Sequence, residues 1–363
     1  MKHLGGDFCA YWSSLQLLLQ DGNFYSLNSL NEMQNPTCPP TGAMHYPPWV
    51  ITLFLPFAFF SFNTSVILWT ITLVILLLSI VLFYSQQYRM SLSQQVFTTL
   101  IILLSPAILY TLREGQLSIL IAALMFSSFR FFLQGEYFKT GLFFSFASIK
   151  PHLIWLIVIF VILRTPKQRI VRLFTGFFCG MLVLILPIWI ISPQIFQYWI
   201  HDLNNPFIYK GVSLISLLRI ISSSIGIDSL HFSLLIGAIM GLSIPFWLAR
   251  TSKTAADIEH SFILLLPCCV LLSPYAWIHD YTPTIIATTL LAAATSRNLT
   301  ILFGGLTVIA LCQASYYEAA FTLLWYPCLI LFLIWYLIRF QQMPEDYLGY
   351  SSRNKTPPSD LLT

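Results

Sequence analysis

Charge is what this sequence has least of. Only 9% of its 363 residues are Asp, Glu, Lys or Arg, while 57% are hydrophobic; an ordinary soluble domain carries roughly 25% charged residues. That balance excludes a soluble globular protein and predicts an all-α polytopic membrane protein. A net charge of +4 is no footprint for nucleic acid, and its distribution between loops carries more information. A cysteine framework is missing too. Cys179, Cys268, Cys269, Cys312 and Cys328 fall in apolar runs, where a thiol packs as a small hydrophobe. Cys9 and Cys38 are the two placed to meet outside a membrane. No CxxC pair, metal-ligand spacing or nucleotide-binding loop occurs, so neither a metal nor a cofactor is expected. Met1 to Leu4 is too short for a signal peptide or a span, so nothing visible delivers the next residues across a membrane.

Apolar runs predict about 11 spans, at approximately 64–84, 96–112, 116–133, 137–149, 153–163, 173–191, 231–249, 261–277, 281–295, 299–313 and 321–338. Ahead of them lies a mixed region with loop chemistry at Asp21-Gly22-Asn23, Asn35-Pro36 and Cys38-Pro39-Pro40. Leu15, Leu17, Leu18 and Leu19 there make one face of a short interfacial helix. The stretch 47–60 is too short to span and is interrupted by Pro56, so it reads as a second interfacial or re-entrant helix. The chain thus divides into an external loop over 1–62, a transmembrane bundle over 63–340 and a polar cytoplasmic tail over 341–363. Assigning alternate loops to one side collects thirteen of the eighteen Lys and Arg, among them Arg89, Arg130, Lys139, Arg164 and Arg250. By the positive-inside rule that face is cytoplasmic.

The opposite face is sparsely basic and carries four stretches that combine polar groups with membrane depth. They are Asp7 with Tyr11; Arg113-Glu114-Gly115-Gln116; Lys150-Pro151-His152; and Ser273-Pro274-Tyr275-Ala276-Trp277-Ile278-His279-Asp280-Tyr281. Each has an ordinary reading. Asp7 suits a helix N-cap, Arg113 and Glu114 an ion pair between neighbours, Lys150 a side chain snorkelling to headgroups, and Trp277 with Tyr281 an aromatic belt. Together, a carboxylate with Arg, Lys and His on one face describes an anionic lipid headgroup held beside a general base. Such a site suits a sugar carried on a lipid phosphate. Asp takes the proton from an acceptor hydroxyl that acidifies as the bond forms, and cations meet the charge growing on the departing phosphate.

The order of motifs resembles glycosyltransferase family 87, membrane enzymes of the GT-C fold that use polyprenyl-phosphate sugars and include mannosyltransferases. Gly6-Asp7-Phe8 with Tyr11-Trp12, Gly22-Asn23 with Tyr25, Tyr46-Pro47-Pro48, Gly115-Gln116, Lys150-Pro151, Ser213-Leu214, and Ser273-Pro274 with Trp277 and His279 carry the resemblance. It implies a GT-C-like helical bundle with an external catalytic loop, in the bacterial inner membrane with its site facing the periplasm. It implies a sugar, mannose or another hexose or pentose, moved with inversion from a polyprenyl-phosphate donor to a glycolipid or polysaccharide acceptor. Asp7 matches the family's base; Lys150 and His279 match positions near the donor phosphate. Arg113, Gln116 and Lys210 join them on the donor side, with Tyr11, Tyr46 and Trp277 lining the sugar or lipid groove. Two departures stand out: the family carries a span before the Asp motif, and position 280 is Asp where the pattern leads to a second His or another residue. The alternatives are a secondary transporter or flippase of a lipid-linked or anionic solute, and an inactive family relative. Transporters of that kind show two related halves and midplane charges, whereas the charges here sit at helix ends.

Overall fold

In the computed structural model the described residues are 4–34, 37–38, 44, 46–203, 213–224, 229–274, 276–316, 328–329 and 331–332. Among them all regular structure is helical. Helices α1 (Gly6–Leu18) and α2 (Leu27–Gln34) precede a 3₁₀ helix, η1 (Pro48–Phe59). Then come α3 (Phe62–Gln87), α4 (Leu92–Leu103), α5 (Pro106–Glu114), α6 (Ser118–Leu133), α7 (Tyr137–Ala147), α8 (Pro151–Arg164) and α9 (Ile170–Ile191). The remainder is α10 (Ile195–Leu203), α11 (Leu214–Ser224), α12 (Ser229–Thr251), α13 (Ala255–Leu271), η2 (Ile278–Tyr281), α14 (Thr282–Thr295) and α15 (Arg297–Tyr316).

Three of these, α3, α9 and α12, are long and apolar enough to cross a membrane. At most a third of each apolar window is buried inside the protein, so outward residues such as Ile71, Ile75, Leu182, Ile190, Leu235 and Leu242 are left for hydrocarbon. The predicted span 96–112 is instead a bent pair, α4 and α5, turned by 63° at the break. Ser105 caps α5 by accepting from the Ile108 N–H at 3.3 Å, and Pro106 at the first helical turn has no N–H to continue α4. Counted together the pair makes a fourth candidate span. Most other predicted spans form shorter helices, and their burial gives the reason: in α14 every residue from Thr282 to Ala293 is buried. An apolar run of this length, covered by neighbouring helices, has no need to match the bilayer. The predicted span 321–338 lies largely outside the described residues.

Small residues set the closest helix approach. A Cβ at Gly141 would overlap the Leu173 carbonyl and the Phe177 N–H group, and one at Gly176 the Phe138 carbonyl. Backbones of α7 and α9 therefore touch, as membrane helices do where glycine removes the side chain.

The external region is organised by aromatic packing. Phe8 of α1 lies among Phe54, Phe57, Phe62 and Trp69, and Tyr11 stacks on Phe54 at 4.8 Å and 13°. Helix α1 is consequently buried from Phe8 through Leu18 on most of its surface, more deeply than an interfacial helix with one apolar face. Cys9 and Cys38 form a disulfide across this region. The 47–60 stretch is η1, opened by Pro48; Pro56, expected to interrupt it, lies inside one continuous 3₁₀ helix. The polar segment after α9 contributes one further helix, α10, whose Trp199 packs edge-on against Trp49 of η1.

Candidate active site

The site forms where α1, the α5–α6 turn, the start of α8 and η2 converge. Asp7 sits in the first turn of α1, but the N-cap is Gly5, in the left-handed region at φ 83°. The cap reading of Asp7 is therefore set aside. Its carboxylate instead accepts from the Gln116 side-chain amide through Oδ2. Tyr11 and Tyr46 both donate their hydroxyls to Gln116 Oε1, each at 3.2 Å. Two donors on the oxygen and a carboxylate on the nitrogen fix the amide's orientation. Tyr46 is held in turn by Tyr25, whose hydroxyl donates to the Tyr46 carbonyl at 2.7 Å.

Gln116 reaches this position because α5 ends at Gly115, left-handed at φ 70°. Trp69 Nε1 donates to the Gly115 carbonyl at 2.8 Å, and a Cβ on Gly115 would run into Phe8. The Gly5 N–H donates to the Arg113 carbonyl at 2.7 Å. The Glu114 carboxylate lies where a Gly6 side chain would stand, beside the positive end of α1.

A second cluster carries the buried charge. Lys150, in the turn between α7 and α8, extends Nζ to Asp280 Oδ1 at 2.8 Å and donates to Ser118 Oγ at 3.1 Å. Asp280 Oδ2 accepts from the Trp277 N–H at 3.0 Å, and His152 and His279 lie within 3.7 and 3.5 Å of its oxygens. His279 stacks on Tyr110 at 5.6 Å. The two clusters adjoin, since Lys150 Nζ lies 5.7 Å from the centre of the Tyr46 ring. Among the described residues no group of three or more His, Cys, Asp or Glu is arranged to hold a metal.

Environment divides the titratable groups. Burial pushes the Asp7 carboxyl up, against the opposing Gln116 hydrogen bond and the Lys150 charge. Burial also lowers His279, to about 3, so the imidazole is neutral. For Asp280 burial acts upward, yet the Lys150 ammonium above all holds its carboxyl well below the usual range. Burial likewise opposes the Lys150 charge, and the Asp280 carboxylate outweighs it, leaving that ammonium raised.

Of the sequence candidates, Asp7, Tyr11, Tyr46, Gln116, Lys150 and His279 come together. Trp277 is 40% exposed at their rim. The Arg113 side chain is 58% exposed and pairs with Glu114 at 3.1 Å, the neighbour pairing open to it from sequence. Lys210 lies outside the described residues. Ser118 is an addition; His152 and Tyr25, named in sequence only within their stretches, and Asp280 gain positioned contacts. For Asp280 the signal was present: one Lys and one Asp in separate apolar turns are each too costly to bury alone, which makes them partners.

An all-helical membrane protein with a held carboxylate and a buried ammonium at one end of its bundle is what the fold and site define. The model of glycosyltransferase family 87 matches residues 44–303. No curated protein matches the chain. The match covers well over half of the chain, which belongs to glycosyltransferase family 87 and is a membrane glycosyltransferase. The matched residues include Tyr46, Arg113, Gln116, Lys150, Trp277 and His279, and begin after Asp7 and Tyr11.

Proposed function

We propose that this protein moves a sugar, mannose or another hexose or pentose, from a polyprenyl-phosphate donor to a glycolipid or polysaccharide acceptor of the cell envelope. The observation that carries the reading is the juxtaposition of a base and a cation: Gln116 holds Asp7 and accepts from Tyr46, and the ring of Tyr46 lies under Lys150. In the reaction the acceptor oxygen bonds to the anomeric carbon as the bond from that carbon to the phosphate oxygen breaks. The hydroxyl proton passes to Asp7, and polyprenyl phosphate departs with its electron pair. Inversion follows from attack opposite the leaving group.

Burial that raises the Asp7 carboxyl makes it a stronger base than an exposed carboxylate. Gln116 keeps it oriented through both protonation states. Lys150 faces the leaving phosphate, exchanging part of its contact with Asp280 as negative charge grows there. A neutral His279 contributes a hydrogen bond rather than a charge. Arg113 and Trp277, at the rim, meet the headgroup and the lipid or sugar. Lys210 is kept as a donor-side candidate on its sequence position. The compartment that fits is a bacterial inner membrane with Asp7 on the periplasmic face, since most basic residues gather on the other.

Family membership favours an enzyme over the transporter reading. Sugar transfer in membranes offered polyprenyl-phosphate mannose, glucose and arabinose separately, with Asp7→Asn alongside, tests the proposal. Product from one donor, lost in a variant that still inserts, is expected. Product that persists in Asp7→Asn overturns the base assignment, and no product from any donor favours an inactive relative.

A further inference from the structure

At the end of the bundle away from Asp7, α3, α6, α13 and α14 leave a narrow cleft that opens to the surface. Two opposite charges line it without forming an ion pair. Glu259, 7% exposed, accepts from the Tyr88 hydroxyl at 3.0 Å. Arg130 donates to the Gln87 side chain at 3.1 Å, and its guanidinium lies 5.6 Å from the Phe83 ring centre. Tyr84 and the stacked rings of Phe129 and Phe262, 4.0 Å apart, complete the walls. Burial pushes the Glu259 carboxyl up to about 7, against the Tyr88 hydrogen bond and the Arg130 charge; Arg130 supports the carboxylate only from beyond ion-pair distance, which leaves room between them for a ligand ammonium to complete the compensation.

We propose that this cleft binds an ammonium–phosphate zwitterion, the headgroup of an aminophospholipid in the leaflet opposite the Asp7 site. The ammonium would meet Glu259 and the tyrosine rings, which attract a cation by charge and by their π faces. The phosphate would meet Arg130, whose planar fork suits phosphate oxygens. A lipid is favoured over a soluble zwitterion because the surface beside Tyr84 is apolar: Leu82 and Phe83 are 47% and 46% exposed, and acyl chains can lie along them. Arg130 also belongs to the basic face, which places this leaflet on the cytoplasmic side by the positive-inside rule.

Native mass spectrometry of the purified full chain, given equal amounts of phosphatidylethanolamine and phosphatidylglycerol, tests the site without any substitution. Retention of phosphatidylethanolamine by about tenfold or more is expected from a buried charge partner that phosphatidylglycerol lacks. Equal retention overturns the proposal. Glu259→Gln keeps an acceptor for Tyr88 and should abolish the preference, whereas Arg130→Gln should weaken both lipids; a preference surviving Glu259→Gln also overturns it. Free phosphoethanolamine bound as tightly as the lipid would overturn the assignment to a lipid.

Discussion

Lys150 and Asp280 form an ion pair in which neither side chain is more than 2% exposed, with Nζ 2.8 Å from Oδ1. Such a pair holds together the starts of α8 and η2, segments about 130 residues apart in sequence, and breaking it leaves one charge buried alone. Lys150→Met or Asp280→Asn should each cost about 3–5 kcal/mol. Replacing both with apolar side chains should recover much of that loss, while transfer activity should not return. Thermal unfolding of the purified singles and double, read as a mutant cycle, checks the coupling; losses that simply add would mean the pair contributes none.

The same cluster sets an acid limit on stability. His279 is neutral in the fold and held near 3, whereas its ordinary value is 6.5. The unfolded chain therefore binds a proton below pH 6.5 that the folded one refuses, and stability falls from there down towards pH 3. Asp280, depressed in the fold, adds stability that is fully present above 3.8 and lost only as pH drops further. The His279 contribution should thus decline from about pH 6.5 with a slope approaching about 1.4 kcal/mol per unit, offset in the total by Glu259, which burial raises to about 7 and which gains stability over the same range. Denaturant titrations of the protein and of His279→Gln between pH 7 and 4.5 isolate it: the difference between the two should shift by that slope.

Activity should report Asp7. In the proposed role of general base it works deprotonated, and burial raises its carboxyl, so the acid limb of transfer should have its midpoint above the ordinary 3.8. The Gln116 amide stabilises the charged form, which means Gln116→Leu should move that midpoint higher still while lowering the plateau rate. pH–rate profiles of the two proteins decide it. An unmoved midpoint would remove Asp7 from the proton transfer.

How far these features were legible in sequence depends on the range of the interactions behind them. The apolar runs, the non-spanning 47–60 stretch and the clustering of Asp7, Gln116 and Lys150 follow from composition and motif order. The break at Ser105-Pro106 was also written locally, as a cap followed by a residue without an N–H, but a hydropathy run carries across it. The predicted runs match helices in position, 281–295 being α14 (Thr282–Thr295), but only three or four of them are long and apolar enough to cross, because an apolar helix buried by its neighbours, as α14 is, looks in sequence like a short membrane span. The Lys150–Asp280 pairing was hidden by distance along the chain, and the deep burial of α1 by its reliance on Phe54 and Trp69 from later segments.

The Cys9–Cys38 disulfide closes a loop that begins inside α1. Restricting a loop of that size in the unfolded chain contributes about 3–4 kcal/mol in the chain-entropy account, so Cys9→Ser with Cys38→Ser should lower the unfolding temperature and loosen α1. Disulfides persist in oxidising compartments, and the Asp7 face should be such a side. In intact cells Cys38, 8% exposed against 0% for Cys9, should resist maleimide until reduction and then label from outside, with Cys9 following only as α1 loosens. Labelling without reduction would argue against a disulfide, and labelling only after lysis would reverse the orientation.

Gly115 joins Asp7 to its support, and its two demands can be separated. Its backbone is left-handed at φ 70°, and a side chain there would collide with Phe8 of α1. Ala meets both penalties: roughly 1–2 kcal/mol of backbone strain and the displacement of Phe8 from its aromatic surroundings. Asn tolerates the left-handed region but brings the same Cβ. If close approach of α1 is what keeps Asp7 on Gln116, Gly115→Asn and Gly115→Ala should lose transfer activity alike, by about a hundredfold for a shift near 1 Å at the reacting groups. Both variants should still insert in the membrane. Recovery of most of the activity in Gly115→Asn would show that only the turn's conformation matters, and that α1 does not need the contact.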